Sequence, residues 1–129
     1  GIIEDGGELV IYAPHLKQIS VTHGEFIKKF GYAPIEKVKQ IAAESEELSK
    51  NLCVAAHLAH VSFAGSEANP EKPKYQITLA SSVNANICRK VNLNFADYDQ
   101  IDLDELRNDS ETFVVEKAGR DLYLLEDEK

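Results

Sequence analysis

The chain has 129 residues, with 14 Lys and Arg against 22 Asp and Glu, for a formal charge of −8. That length suits one domain, and 43% hydrophobic with 28% charged residues is the make-up of a globular chain rather than a disordered one. An acidic surface repels phosphate backbones, and the longest apolar runs, such as Leu9-Val-Ile-Tyr-Ala13, are too short to cross a bilayer, so neither nucleic acid nor a membrane is an expected partner.

Gly6-Gly7 marks a turn, and the apolar run Glu8 to Pro14 that follows predicts a first strand, buried on both faces. Strands of that kind belong to parallel sheets covered by helices. Thr22-His-Gly-Glu25 fits a capping box, with Thr22 as N-cap and Glu25 at the third helical position. Phe26, Ile27 and Phe30 then share one helical stripe, and Gly31 is placed to end the helix. Pro34 suits the first turn of a second helix. Ile35, Val38, Ile41, Ala42 and Leu48 give that helix, predicted over 34–50, an apolar face.

Leu52 to Val61 reads as a second buried strand, and residues 65–74 as an exposed loop. Tyr75 to Ala80 is a third strand. Ser81, Ser82 and Asn84 can cap a short helix carrying Ile87, Cys88 and Val91. Asp102-Leu-Asp-Glu105 resembles another cap, followed by one or two helical turns. Thr112 to Val115 is a fourth strand, which Gly119-Arg-Asp can turn into Leu122 to Leu125 as a terminal hairpin. The alternation of strands and helices predicts a layered α/β fold, a mainly parallel sheet of about four to five strands flanked by helices. No repeat or compositional break divides residues 1–129, so a single α/β domain is expected.

The two cysteines, Cys53 and Cys88, can form at most one bridge. Their apolar contexts suit free buried thiols in a reducing cytoplasm. The chain has no Met, even at position 1, and enters almost at once into a strand-like run. Both features suggest a piece excised from something longer.

Four histidines are the candidates for chemistry: His15, His23, His57 and His60. Ligands of open α/β sheets gather at the carboxyl ends of strands. His15 directly follows the first predicted strand, and His23 sits at a helix start, where the helix dipole disfavours a charged imidazole. A neutral imidazole there can accept a proton or hold a substrate. The plainer reading is that both rings tie down a loop. His57-Leu-Ala-His60 invites a metal reading. On a strand, however, residues three apart point to opposite faces, and no cluster of Cys or carboxylates completes a site, so no metal ligands are assigned. There is no dinucleotide-binding glycine fingerprint, phosphate-binding loop or nucleophile elbow. Arg89-Lys90 reads as part of a solvated helix face.

Longer stretches carry a family resemblance. Gly6-Gly-Glu-Leu-Val-Ile-Tyr-Ala-Pro-His15 and Ile19-Ser-Val-Thr-His-Gly24 resemble a segment of the nickel-pincer lactate racemase family, in its uncharacterised branch. So do His57 to Val61, Tyr75 to Ala80, Cys88 to Leu93 and Val115 to Gly119. The resemblance covers nearly the whole chain but only the C-terminal domain of the family. It implies a full-length, two-domain isomerase with its active site in the cleft between the domains. There a nickel ion in a lysine-linked pincer nucleotide takes a hydride from C2 of a 2-hydroxy acid and returns it to either face, while histidines move the hydroxyl proton.

The lysine and histidines of that scheme belong to the N-terminal domain and match no position here. The resemblance therefore implies that this chain alone binds no cofactor and is inactive. Its partners would be the missing N-terminal domain and a small 2-hydroxy acid, for which it forms one wall of the cleft. His15 and His23 are the first candidates to face that cleft, and His57 and His60 come after them. The contrasting reading is a non-catalytic ligand-binding or protein-interaction module of the same fold.

Overall fold

The computed structural model describes residues 3–118. Three strands, β1 (Glu8–Ala13), β2 (Gln76–Ser81) and β3 (Asn94–Ala96), form a parallel sheet in the order β1-β2-β3. Between β1 and β2 run four helices: α1 (Gly24–Phe30), α2 (Ile35–Glu44), α3 (Glu46–Ser49) and α4 (Leu52–Ala59). α5 (Ala85–Lys90) joins β2 to β3, and a 3₁₀ turn at Tyr98–Gln100 leads to α6 (Leu103–Asn108). The α/β class and the parallel sheet agree with the sequence reading. The sheet has three strands among the described residues, fewer than the four to five expected.

Burial explains the layering. In the β1–β2 register, Leu9, Ile11 and Ala13 lie beside Ile77, Leu79 and Ser81 on one face. On that side Ile77 and Leu79 join Ile27, Val38, Leu48, Val54, Leu58, Cys88 and Val91 in one core, with Ile11 and Ala13 packed against it. Ile27, Leu48 and Leu58 are fully buried, each contributing about 1.5–3 kcal/mol by removal from water. The opposite face carries Glu8, Val10 and Tyr12 next to Gln76, Thr78 and Ala80. Thr78 and Ala80 are buried there, whereas Val10 and Tyr12 are 39% and 42% exposed.

The first strand was expected to be buried on both faces. It is instead the edge strand, with alternating burial, and central β2 is the strand enclosed on both sides.

The largest departure is residues 52–61, read as a strand and folded as α4. A ten-residue apolar run fits either state by pattern alone. Here Ala55, Ala56, Leu58 and Ala59 favour helix, and Val54 and Leu58, four apart, are both buried.

The single helix expected over 34–50 is two, because Ser45 leaves helical geometry (φ −120°, ψ 107°) and its hydroxyl caps α3 at the Leu48 N–H. The Thr22 capping box does not form. His23 is the N-cap of α1 without a side-chain bond, and Ser20 Oγ accepts from the His23 N–H instead. Thr112–Val115, expected as a strand, is irregular chain. Arg107 binds both Asp104 and Glu116, tying the segment to α6 rather than to the sheet. The hairpin strand expected at Leu122–Leu125 lies outside the described residues.

Two caps do follow the sequence. Asn84 accepts from the Asn86 N–H at α5, and Asp102 accepts from Asp104 and Glu105 at α6. α5 ends in a Schellman motif: Leu93 N–H bonds Cys88 O, Asn92 N–H bonds Arg89 O, and Asn92 takes the left-handed position at φ 63°. The Asn92 side chain then donates to Tyr32 O at 3.0 Å, fastening the α1–α2 connection to the end of α5.

Candidate functional site

Because residues 52–59 are helical, the two histidines near the end of α4 do not point apart as a strand would place them. The His57 and His60 rings stack with centroids 6.4 Å apart and planes inclined by 10°. The chain leaves the carboxyl end of β1 at Ala13 and reaches α1 through a loop pinned at Ser20. That brings His23 to α4, its ring centroid 5.2 Å from that of His57. The ring of Tyr32, which follows α1, has its centroid 6.3 Å from that of His57. His57 is therefore the hub of a small aromatic group, half-buried between the two helices, while His60 is exposed.

This setting determines the charge on His57. Partial burial disfavours the imidazolium, and the neighbouring His23 and His60 add repulsion, so its pKa lies below the ordinary histidine value. At neutral pH His57 is a neutral imidazole, with one nitrogen able to accept a proton. Burial alone pushes the Tyr32 phenol up, so it remains a hydroxyl. A hollow of about 190 Å³ opens beside His23, walled by Ser20, Thr22, Gly24, Glu25 and Lys28.

The sequence candidates thus separate. His23, His57 and His60 are brought together by α1 and α4. His15 is exposed just beyond β1 and makes no ring contact with them among the described residues. Tyr32 is the member that sequence reasoning passed over, since nothing local distinguishes it from a core aromatic. Cys53, expected to be buried, is exposed in the first turn of α4, while Cys88 is buried. The difference follows from α4 being a helix, which turns Cys53 outward and Val54 inward. Among the described residues no three His, Cys, Asp or Glu side chains are grouped so as to hold a metal ion, and no helix is long and apolar enough to cross a membrane.

No family model and no curated protein matches the chain. A solved structure that resembles it is a protein from Thermotoga maritima, determined as a structural-genomics target, with a TM-score of 0.74 and 29% sequence identity. The match covers 87% of this chain and 27% of that one, so the chain spans about a quarter of that protein's length.

Proposed function

We propose that this chain forms one wall of the substrate cleft in a nickel-dependent 2-hydroxy acid racemase or epimerase, with His23, His57 and His60 turned toward that cleft. The supporting observation is the half-buried His57 ring packed between His23 and His60, with centroids 5.2 Å and 6.4 Å away, a setting that disfavours its charged form. A neutral imidazole within reach of a substrate hydroxyl accepts its proton through a ring nitrogen and returns it. Tyr32 packs beside the half-buried ring, with centroids 6.3 Å apart. The match to about a quarter of a much longer chain supports the reading of this domain as one part of a larger protein.

The described residues offer no grouped donor set for the nickel cofactor, so no step is routed through it. The hydride chemistry would belong to that group, and this chain's share is proton handling and enclosure.

A second reading, a non-catalytic binding module, draws on the half-open sheet face, where Val10 and Tyr12 are exposed. The size and nickel content of the native polypeptide, captured from its source cells with an antibody to this domain, separate the two. A substantially longer chain that carries nickel and scrambles the C2 configuration of a 2-deuterated 2-hydroxy acid, with the deuterium retained, supports the racemase. A nickel-free chain near 14.3 kDa overturns it. In the longer chain, His57→Ala with an unchanged racemisation rate would remove the histidine role.

A further inference from the structure

A second hollow, larger than the one at His23, lies at the amino ends of the strands, where β2 and β3 begin and the chain passes Gly6 on its way to β1. Its volume is about 580 Å³, within the range of small-molecule sites. None of its lining residues belongs to the histidine group. Beside Pro73 and Ile77, its lining carries the polar side chains Lys72, Lys74, Tyr75, Gln76, Asn92 and Asn94 and, among the described residues, no carboxylate, an unusual composition for a chain of charge −8.

The two ammonium groups are largely uncommitted. Lys72 makes no ion pair among the described residues, and Lys74 only a long one, 3.8 Å, to Asp5. The nearest acidic residue in sequence, Glu71, is turned away onto α2, where Gln40 and Lys37 hold its carboxylate and keep its pKa low. It is therefore not available to neutralise Lys72.

The amides are oriented but unsaturated. Asn94 Nδ2 donates to Gln76 Oε1 at 3.1 Å, which leaves the Gln76 NH₂ as a donor and Asn94 Oδ1 as an acceptor. Asn92 spends its NH₂ on Tyr32 O, which leaves its own oxygen.

The backbone that carries the lysines is pinned on both sides. Gly6 N–H bonds Lys74 O, Gln76 N–H bonds Gly7 O, and Ser66 N–H bonds Lys72 O. Gly65 bridges Pro73, at a point so close that a Cβ would lie 2.1 Å from Pro70 O. Binding here does not have to order the loop, which removes a cost that defeats most surface lysines.

From this we infer that the amino-end hollow is a binding site for a small oxyanion bearing hydroxyl groups, a carboxylated or phosphorylated polyol. Lys72 and Lys74 take the anionic oxygens. Gln76, Asn92 and Asn94 take the hydroxyls with one donor and two acceptors, and Tyr75 lines the hollow beside them. The proposal is independent of the racemase reading, because it uses other residues at another edge of the sheet.

The test is a ¹⁵N NMR titration of the full chain with gluconate, glucose 6-phosphate, inorganic phosphate and uncharged glucose. The expected result is saturable shifts at the amides of 72–77, 92 and 94 with gluconate or glucose 6-phosphate, the stronger of the two identifying the source of the anion. Glucose, which lacks the charge, and phosphate, which lacks the hydroxyls, should bind at least tenfold more weakly. Lys72→Gln with Lys74→Gln should lower affinity at least tenfold, and Lys39→Gln with Lys50→Gln, at exposed lysines that line neither hollow, should not. Absence of saturable shifts with both charged polyols overturns the site. So does equal binding of glucose or inorganic phosphate, or unchanged affinity in the Lys72 and Lys74 variant.

Discussion

Replacing Gly31 by Ala probes how α1 is joined to the rest of the core. Gly31 ends the helix at φ 75° and ψ 162°, a region occupied almost only by glycine, where another residue costs about 1–3 kcal/mol. An added Cβ would also lie 2.6 Å from Asn92 Nδ2, the atom that donates to Tyr32 O. Moving that amide forfeits a hydrogen bond to a part-buried carbonyl, worth about 1 kcal/mol. The two effects together give about 2–4 kcal/mol, a large share of the roughly 5–15 kcal/mol that holds a domain of this size. Urea unfolding followed by far-UV circular dichroism measures it, with Gly31→Ala, Asn92→Ala and the double variant compared. Once Asn92 is Ala, the clash has no partner and the hydrogen bond is counted once. The double variant should therefore fall short of the sum of the singles by about 1 kcal/mol. A loss below about 0.5 kcal/mol for Gly31→Ala, or strict additivity in the double variant, would refute the argument.

The histidine group gives a pH dependence with a definite sign. The folded-state pKa of His57 lies below the ordinary histidine value of about 6.5, so between those two values the unfolded chain binds the extra proton. Its contribution is complete above about 6.5 and is lost as pH falls through the folded value. His57→Gln should flatten the stability profile over that interval, and NMR titration of the wild-type ring should place its midpoint below those of ordinary histidines. The cysteines should differ in reactivity: in the folded chain a thiol reagent should label Cys53, while Cys88, buried and with its pKa raised by burial, reacts only after denaturant is added.

How much of this was legible in the sequence depended on whether one segment held its own instructions. The caps at Asn84 and Asp102 were readable because a side chain two or three residues upstream of an N–H decides them locally. Turn residues likewise bounded the first strand and the 65–74 loop. The burial of β1 is not legible locally because it depends on which strand lies at the sheet edge, which is set by distant partners such as Gln76 for Glu8. The misreading of α4 had the greatest consequence. Its hydrophobic run lacks a polar face to reveal a period of 3.6, so a strand was assigned, and with it a geometry that set His57 and His60 apart. Helix formation reverses that geometry. The approach of His23 to His57 could not be read from any spacing, since it arises from the packing of α1 on α4. Tyr32 and β3 gave no signal of their own, the first because it looks like any core aromatic, the second because three residues are too few to show alternation.

The strand order also implies an order of assembly. β2 and β3 meet through residues only 18 apart in the chain, Gln76 and Asn94, whereas β1 meets β2 through Glu8 and Thr78, 70 residues apart. Closing the longer loop costs about 1.2 kcal/mol more in chain entropy, and the shorter unit needs only α5 to complete it. The β2–α5–β3 unit should therefore form early in refolding and be the last to open. β1 joins late, once α1 to α4 have condensed, and its amides should be among the first in the sheet to exchange with deuterium.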